Sequence, residues 1–224
     1  MKLENNIIKH YLKNTYFITG TAYAGKSTMV KMLADRYDMI ACEENYHMNL
    51  SSIIAEKDIQ PNLCYFQTMS GWQEFLGRTP KEYDRWIIES AREAAEFEVA
   101  NLIQLSASGK KVIVDTNIPL ELLHEIADYH QVAVMLSPQS MSVEHFFDRN
   151  DPEKLFLLQQ LEAMEHPSQA LNNFKECIAE VNSQAHYSEY QNSGFFTILR
   201  EHTNIDTKES VLTRLVEHFG LCKG

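Results

Sequence analysis

The sequence predicts an α/β fold, a mostly parallel sheet with helices on both faces. Two observations predict it: five short apolar runs that do not alternate with polar residues, and helix-favouring segments between them. A strand covered on both faces reads as a continuous hydrophobic run, because each side chain meets a helix whichever way it points. Strand–helix alternation is the pattern of parallel strands joined by crossovers. The 224-residue length suits one domain, or one domain carrying a substantial insertion.

The predicted strands are residues 16–19, 38–42, 111–114, 131–136 and 195–199. The segment 26–37 predicts a helix, with Met29, Val30, Leu33 and Ala34 on one side. The segment 79–105 is long and opens with Thr79-Pro80-Lys81-Glu82. There Thr79 can cap the first turn, Pro80 fits the first helical position, and Glu82 can reach back to the cap. Segments 119–129, 152–164, 169–185 and 208–219 also read as helices. No repeat or Gly/Ser linker interrupts the chain, and 8 Gly with 6 Pro leave little material for a flexible hinge.

Composition excludes several classes. With 44% apolar and 23% charged residues, the chain is neither disordered, collagen-like nor a disulfide-stapled miniprotein. The 31 acidic and 20 basic residues give a formal charge of −11, which repels a polyanion and argues against nucleic acid as a main partner. Cys42, Cys64, Cys177 and Cys222 are scattered without a C-x-x-C pair, so buried or inert thiols are expected. No histidine shows metal-ligand spacing. The N-terminal residues lack a signal-peptide core, and no run of about 18 apolar residues exists, so a cytosolic protein without membrane contact is expected.

The strongest local feature follows the first predicted strand: Gly20-Thr21-Ala22-Tyr23-Ala24-Gly25-Lys26-Ser27-Thr28. It fits G-x-x-x-x-G-K-[ST] between an apolar strand and an amphipathic helix. Glycines allow backbone angles and close approach that a Cβ obstructs. Successive N–H groups can then ring a phosphate at the positive end of the helix. Lys26 supplies a cation for β- and γ-phosphates, and the Ser27 hydroxyl can ligate Mg²⁺. Lys110-Lys111-Val112-Ile113-Val114-Asp115 offers a second strand ending in a carboxylate. Asp115 can hold Mg²⁺ or polarise an attacking hydroxyl; alternatively, it caps the helix that starts near Pro119 or forms a turn.

On these residues the chain resembles P-loop kinases of the nucleoside monophosphate kinase and shikimate kinase group. The loop, the strand ending in Asp115, a helical segment between the second and third strands, a short lid after the fourth and the Asn204-Ile205-Asp206-Thr207 turn carry the resemblance. It implies one P-loop kinase-like domain over 1–224: a three-layer α/β/α fold with a five-stranded parallel sheet in the order 2-3-1-4-5, a helical acceptor-binding insertion (45–109) and a lid (137–154). It also implies ATP as donor, Mg²⁺ as cofactor and a small-molecule acceptor. The turn Asp115-Thr116-Asn117-Ile118-Pro119 lacks the Gly-Pro-Arg of adenylate kinases, and Glu43-Glu44 stands where shikimate kinases carry paired aspartates. The acceptor of neither enzyme carries over.

Within the insertion, Arg78, Arg85 and Arg92 recur at seven-residue spacing. A guanidinium fork suits an acceptor's carboxylate or phosphate, Arg78 being the candidate; Arg85 and Arg92 can instead pair with Glu82, Glu89, Glu93 and Glu96 on the same helix. Glu43 and Glu44 follow the second strand at the edge where open α/β sheets bind ligands, so one can accept the acceptor's hydroxyl proton or cap the next turn. Tyr46, His47, Tyr65, Phe66 and Trp72 either line an acceptor pocket or belong to the core. In the lid, Arg149 is expected to neutralise charge on the transferring phosphoryl group, or to pair with Asp148 or Asp151. The expected activity is ATP-dependent phosphoryl transfer to a nucleoside, nucleotide or small hydroxy compound. The alternative is a regulatory protein that binds or hydrolyses ATP without such an acceptor; no N-K-x-D guanine-reading motif is present.

Overall fold

The computed structural model describes residues 3–138, 141, 146, 152–200 and 206–221. Its strands are β1 (Thr15–Gly20), β2 (Ile40–Cys42), β3 (Val112–Asp115), β4 (Val132–Leu136) and β5 (Phe196–Leu199). They form one all-parallel sheet in the order β2-β3-β1-β4-β5. Every residue of β1, β3 and β4 is buried, which is why those runs are apolar without alternation.

The helices are α1 (Asn5–Leu12), α2 (Lys26–Tyr37), α3 (Met48–Ile54), α4 (Tyr65–Thr68), α5 (Trp72–Leu76), α6 (Pro80–Ser106), α7 (Leu120–Ile126), α8 (Pro152–Glu162), α9 (Pro167–Val181), α10 (Gln184–Gln191) and α11 (Lys208–His218). On one sheet face α2 and α11 bury Met29, Val30, Leu33, Leu212 and Leu215. On the other, α1, α6, α7 and α10 contribute Leu12, Ala95, Leu102, Leu123 and Tyr187. The result is the expected three-layer α/β/α arrangement. A third cluster joins Phe75, Leu76 and Tyr83 of the insertion to Leu161, Phe174, Cys177 and Ile178 of α8 and α9.

Local chemistry sets the boundaries. Thr79 and Glu82 form the predicted capping box that starts the 27-residue α6: Glu82 N–H donates to Thr79 Oγ1, and Thr79 N–H to Glu82 Oε2 at 2.8 Å. The strand predicted over 38–42 shortens to Ile40–Cys42, because Asp38 turns left-handed (φ 48°) and its N–H closes α2 on Ala34 O. The helix predicted over 169–185 breaks at Asn182, and Ser183 Oγ then accepts His186 N–H to start α10. The helix predicted over 119–129 ends at Ile126, and a 3₁₀ turn follows at Tyr129–Gln131. Helices α1 and α3 to α5 are additions that the sequence pattern did not announce. Among the described residues, no helix is long and apolar enough to cross a membrane. Arg149, the predicted lid cation, lies outside the described residues, as do Asp148, Asp151, Asn204, Ile205 and Cys222.

Candidate functional site

Strand register assembles the site. Because β1 lies between β3 and β4, Ile18 stands beside Asp115 and Gly20 beside Met135. The loop after β1, Asp115 at the end of β3 and Ser137 just past β4 therefore meet at the carboxyl edge of the sheet, where open α/β folds bind ligands. Gly20 sits at φ 126°, and a Cβ there would lie 2.0 Å from the Met135 carbonyl oxygen, so only glycine fits. Gly25, at φ 92°, forms the N-cap of α2 and leaves its first turn without a side-chain cap.

Three of the loop's carbonyls are claimed by side chains. Thr21 O accepts from Lys26 Nζ at 3.2 Å, Ala22 O from Ser137 Oγ at 2.6 Å, and Tyr23 O from Arg200 Nη1 at 2.9 Å. Tyr23 holds a left-handed φ of 63°, a conformation costing a non-glycine residue on the order of 1 kcal/mol, so fixing its carbonyl matters. Among the described residues, the N–H groups of Ala22, Ala24, Gly25, Lys26 and Ser27 donate to no protein acceptor. Unclaimed consecutive N–H groups at the positive end of a helix are what an anion requires. Beside the loop opens a cleft of about 350 Å³ lined by Gly25, Thr28, Met29, Arg200, Thr207 and Lys208.

Lys26, Ser27 and Asp115 converge as predicted. Ser27 Oγ donates to Asp115 Oδ2 at 2.9 Å, and Lys26 Nζ lies 3.8 Å from Asp115 Oδ1. The Asp115 side chain is 1% exposed, and its Oδ1 has no hydrogen-bond partner among the described residues. Burial raises the Asp115 pKa; the Lys26 charge and the Ser27 hydrogen bond pull it back, and Glu44 pushes it up. Asp115 does not cap α7, which begins at Pro119 without a side-chain cap. A hydroxyl and a carboxylate are hard oxygen donors suited to a divalent cation such as Mg²⁺. Among the described residues no group of three or more His, Cys, Asp or Glu is placed to hold a metal ion.

A further acidic residue belongs to this edge and was missed from the sequence. Glu98 of α6 is 2% exposed and accepts Thr116 Oγ1–H at 2.5 Å, while Thr116 Oγ1 accepts Ile118 N–H at 3.0 Å. The Tyr46 hydroxyl lies beside the same carboxyl. Burial pushes Glu98 up to about 7, against the Thr116 hydroxyl donor and the nearby Tyr46 hydroxyl and with help from Asp115 and Glu44. A signal for it exists: on a helix Glu98 shares the face of Ala94, Ala95 and Leu102, all buried. Glu44 is exposed, and its Oε1 accepts Asn117 Nδ2–H at 3.4 Å; its charge reaches both Asp115 and Glu98. Glu43 is exposed too, and its carbonyl receives Tyr46 N–H at 3.2 Å.

The insertion's arginines are placed elsewhere. The Arg78 guanidinium lies over Tyr65 at 4.0 Å, Trp86 at 5.2 Å and Phe75 at 5.3 Å, with its Nη1 buried and without a hydrogen-bond partner among the described residues. Arg92 pairs with Glu89 at 3.3 Å and Glu121 at 3.6 Å, the surface pairing rather than a ligand role. Arg78, Arg85, Tyr65, Trp86 and Glu89 line a separate cleft of about 430 Å³. Glu89 precedes Glu98 by nine residues of α6, which is about half a turn round the helix and roughly 14 Å along it. Arg78 and the loop thus line separate clefts. Of the five candidate pocket residues, Tyr46 approaches the site, His47 is buried on Ser51 Oγ at 3.1 Å, and Tyr65, Phe66 and Trp72 belong to the aromatic cluster around Phe75.

Fold and site together define a parallel α/β/α protein whose carboxyl edge carries a loop with unclaimed N–H groups beside Lys26, Ser27 and Asp115. No family model matches the chain, and no curated protein or solved structure matches it either.

Proposed function

We propose that the chain is an ATP-dependent kinase that transfers the γ-phosphoryl group to a small-molecule acceptor, acting in the cytoplasm. The observation that carries this reading is the convergence of Lys26, Ser27 and Asp115 on a loop whose N–H groups point away from protein acceptors. Residues 20–28 bind the phosphates of ATP, Lys26 neutralises their charge, and the adjacent cleft takes the nucleoside. The orphaned Asp115 Oδ1 and the Ser27 hydroxyl fit Mg²⁺, which they would hold. When bound, the ion neutralises charge on the β- and γ-oxygens. Glu44, or Glu43 beside it, stands where it can take the proton of an acceptor hydroxyl, and Arg149 supplies a lid cation. The substitution Lys26→Ala should weaken ATP binding at least 30-fold, on the order of 2 kcal/mol; unaltered affinity refutes the loop assignment.

A second reading has its own observation. Arg78 is held by aromatic rings in a cleft that shares no residue with the one beside the loop. This favours a nucleotide-binding regulatory protein without a small acceptor. A panel of nucleosides, nucleotides and small hydroxy acids, scored for acceptor-stimulated ADP release, separates the two. Stimulation by one class of acceptor supports the kinase; a basal rate that no acceptor raises supports the regulatory protein.

A further inference from the structure

We infer that Ser137 is a positioning residue for the phosphate loop, holding it in its anion-receiving shape from behind; the inference rests on the phosphate-loop reading above. Ser137 is 0% exposed and follows β4 directly. Both its backbone and its side chain are spent on the loop, 116 and 115 residues away in sequence. Ser137 N–H donates to Thr21 Oγ1 at 2.8 Å, and Ser137 Oγ donates to Ala22 O at 2.6 Å. The two hydroxyl oxygens lie 3.3 Å apart. Ahead of these contacts Thr21 N–H donates to Met135 O at 3.1 Å, so β4 and its extension grip the first turn of the loop at successive points.

The effect on the loop follows from the peptide plane. The carbonyl of Ala22 and the N–H of Tyr23 share one rigid unit and point in opposite directions. Holding Ala22 O against Ser137 therefore fixes which way the neighbouring N–H faces. Without the bond, the Ala22 carbonyl loses its only protein partner among the described residues, and the plane is free to flip, turning a carbonyl toward the bound anion. Because the loop has only Gly20 and Gly25 as glycines, and Tyr23 stands at φ 63°, its shape is imposed from outside rather than by its own preferences. The sequence motif names the residues that touch phosphate; Ser137 lies outside it, acts through it, and is too buried to touch a ligand itself.

The test uses inorganic pyrophosphate and MgADP as probes, titrated calorimetrically onto the whole chain. In Ser137→Ala both probes should bind five- to tenfold more weakly by the same factor, because the defect lies in the loop and not in the nucleoside cleft. The melting temperature should fall by less than about 3 °C. The substitution Thr21→Val removes the acceptor of the Ser137 N–H and should weaken pyrophosphate binding similarly, whereas Thr21→Ser, which keeps the hydroxyl, should stay within twofold of wild type. Combined, Ser137→Ala and Thr21→Val should lose less than the product of their separate factors, since both loosen one contact. Wild-type affinity for pyrophosphate in Ser137→Ala, or weakening of MgADP alone, overturns the positioning role. Failure of the wild-type chain to bind either probe overturns the phosphate-loop reading itself, and this inference with it.

Discussion

The carboxyl edge of the sheet and the insertion hold polar groups in opposite ways. At the edge, partners come from distant strands and donors are left over: Asp115 reaches Ser27, Ser137 reaches Ala22 and Arg200 reaches Tyr23, while the N–H groups from Ala24 to Thr28 have no protein acceptor among the described residues. In the insertion, Glu93 and Glu74 are claimed by donors of the insertion itself. Glu93 takes both the Asn62 and Leu63 N–H groups and Asn62 Nδ2–H, and Glu74 takes Ser70 N–H, Ser70 Oγ–H and Tyr65 O–H. Those hydrogen bonds hold Glu74 down at about 2. The difference separates an edge whose loop N–H groups stay unclaimed from an insertion whose Glu93 and Glu74 are claimed by its own donors. It also explains why the edge, not the arginine-bearing cleft, carries the functional reading.

Three substitutions would break or sharpen that contrast. The largest effect is expected from Gly20→Ala. Its new Cβ would meet Met135 O at 2.0 Å in a left-handed backbone, so it should cost about 4 kcal/mol or more and abolish nucleotide binding; chemical denaturation with near-wild-type stability would show that the strand edge yields. Next comes Glu98. A carboxyl that keeps its proton to about pH 7 in the fold, but ionises near 4.5 when unfolded, lets the unfolded chain release its proton first as pH rises. Stability should therefore fall between pH 4.5 and 7, by on the order of 3 kcal/mol, relative to Glu98→Gln, which cannot ionise. Denaturation of both proteins at pH 5 and pH 8 in metal-free buffer reads this directly, and parallel behaviour refutes it. The smallest is Glu93→Ala in the insertion. Leaving the Asn62 and Leu63 N–H groups without acceptors should cost about 2 kcal/mol, while MgADP affinity stays within twofold. A large loss of affinity there would erase the distinction between the two regions.

What could be read from the sequence follows the range of the interactions. The loop was legible because its glycines, Lys26 and Ser27 lie together between an apolar strand and a helix. Asp115 was legible because Val112, Ile113 and Val114 announce the strand that presents it. The sheet order came with the resemblance and stands in the structure. Glu98 was passed over because it is one of several glutamates on α6, and only the buried face it shares with Ala94, Ala95 and Leu102 sets it apart. Ser137 and Arg200 carry no local signal at all: their roles exist only through pairing across β1, β4 and β5. The insertion was least legible. Its short helices α3 to α5 are too brief for a periodic stripe, and aromatic packing decides them.

The central place of β1 has a consequence for how the molecule is made. Its neighbours β3 and β4 are written far downstream, and the Ser137–Thr21 contact spans 116 residues. On a ribosome the loop emerges early, yet the Ala22 carbonyl gains its Ser137 partner only after β4 has followed, and the Tyr23 carbonyl its Arg200 partner only after β5. Contacts so distant in sequence must overcome large loop-closure entropy before they form, which slows folding. The held shape of the loop is thus among the last features to be completed, and a chain halted before β4 carries the whole motif in its covalent structure without that shape.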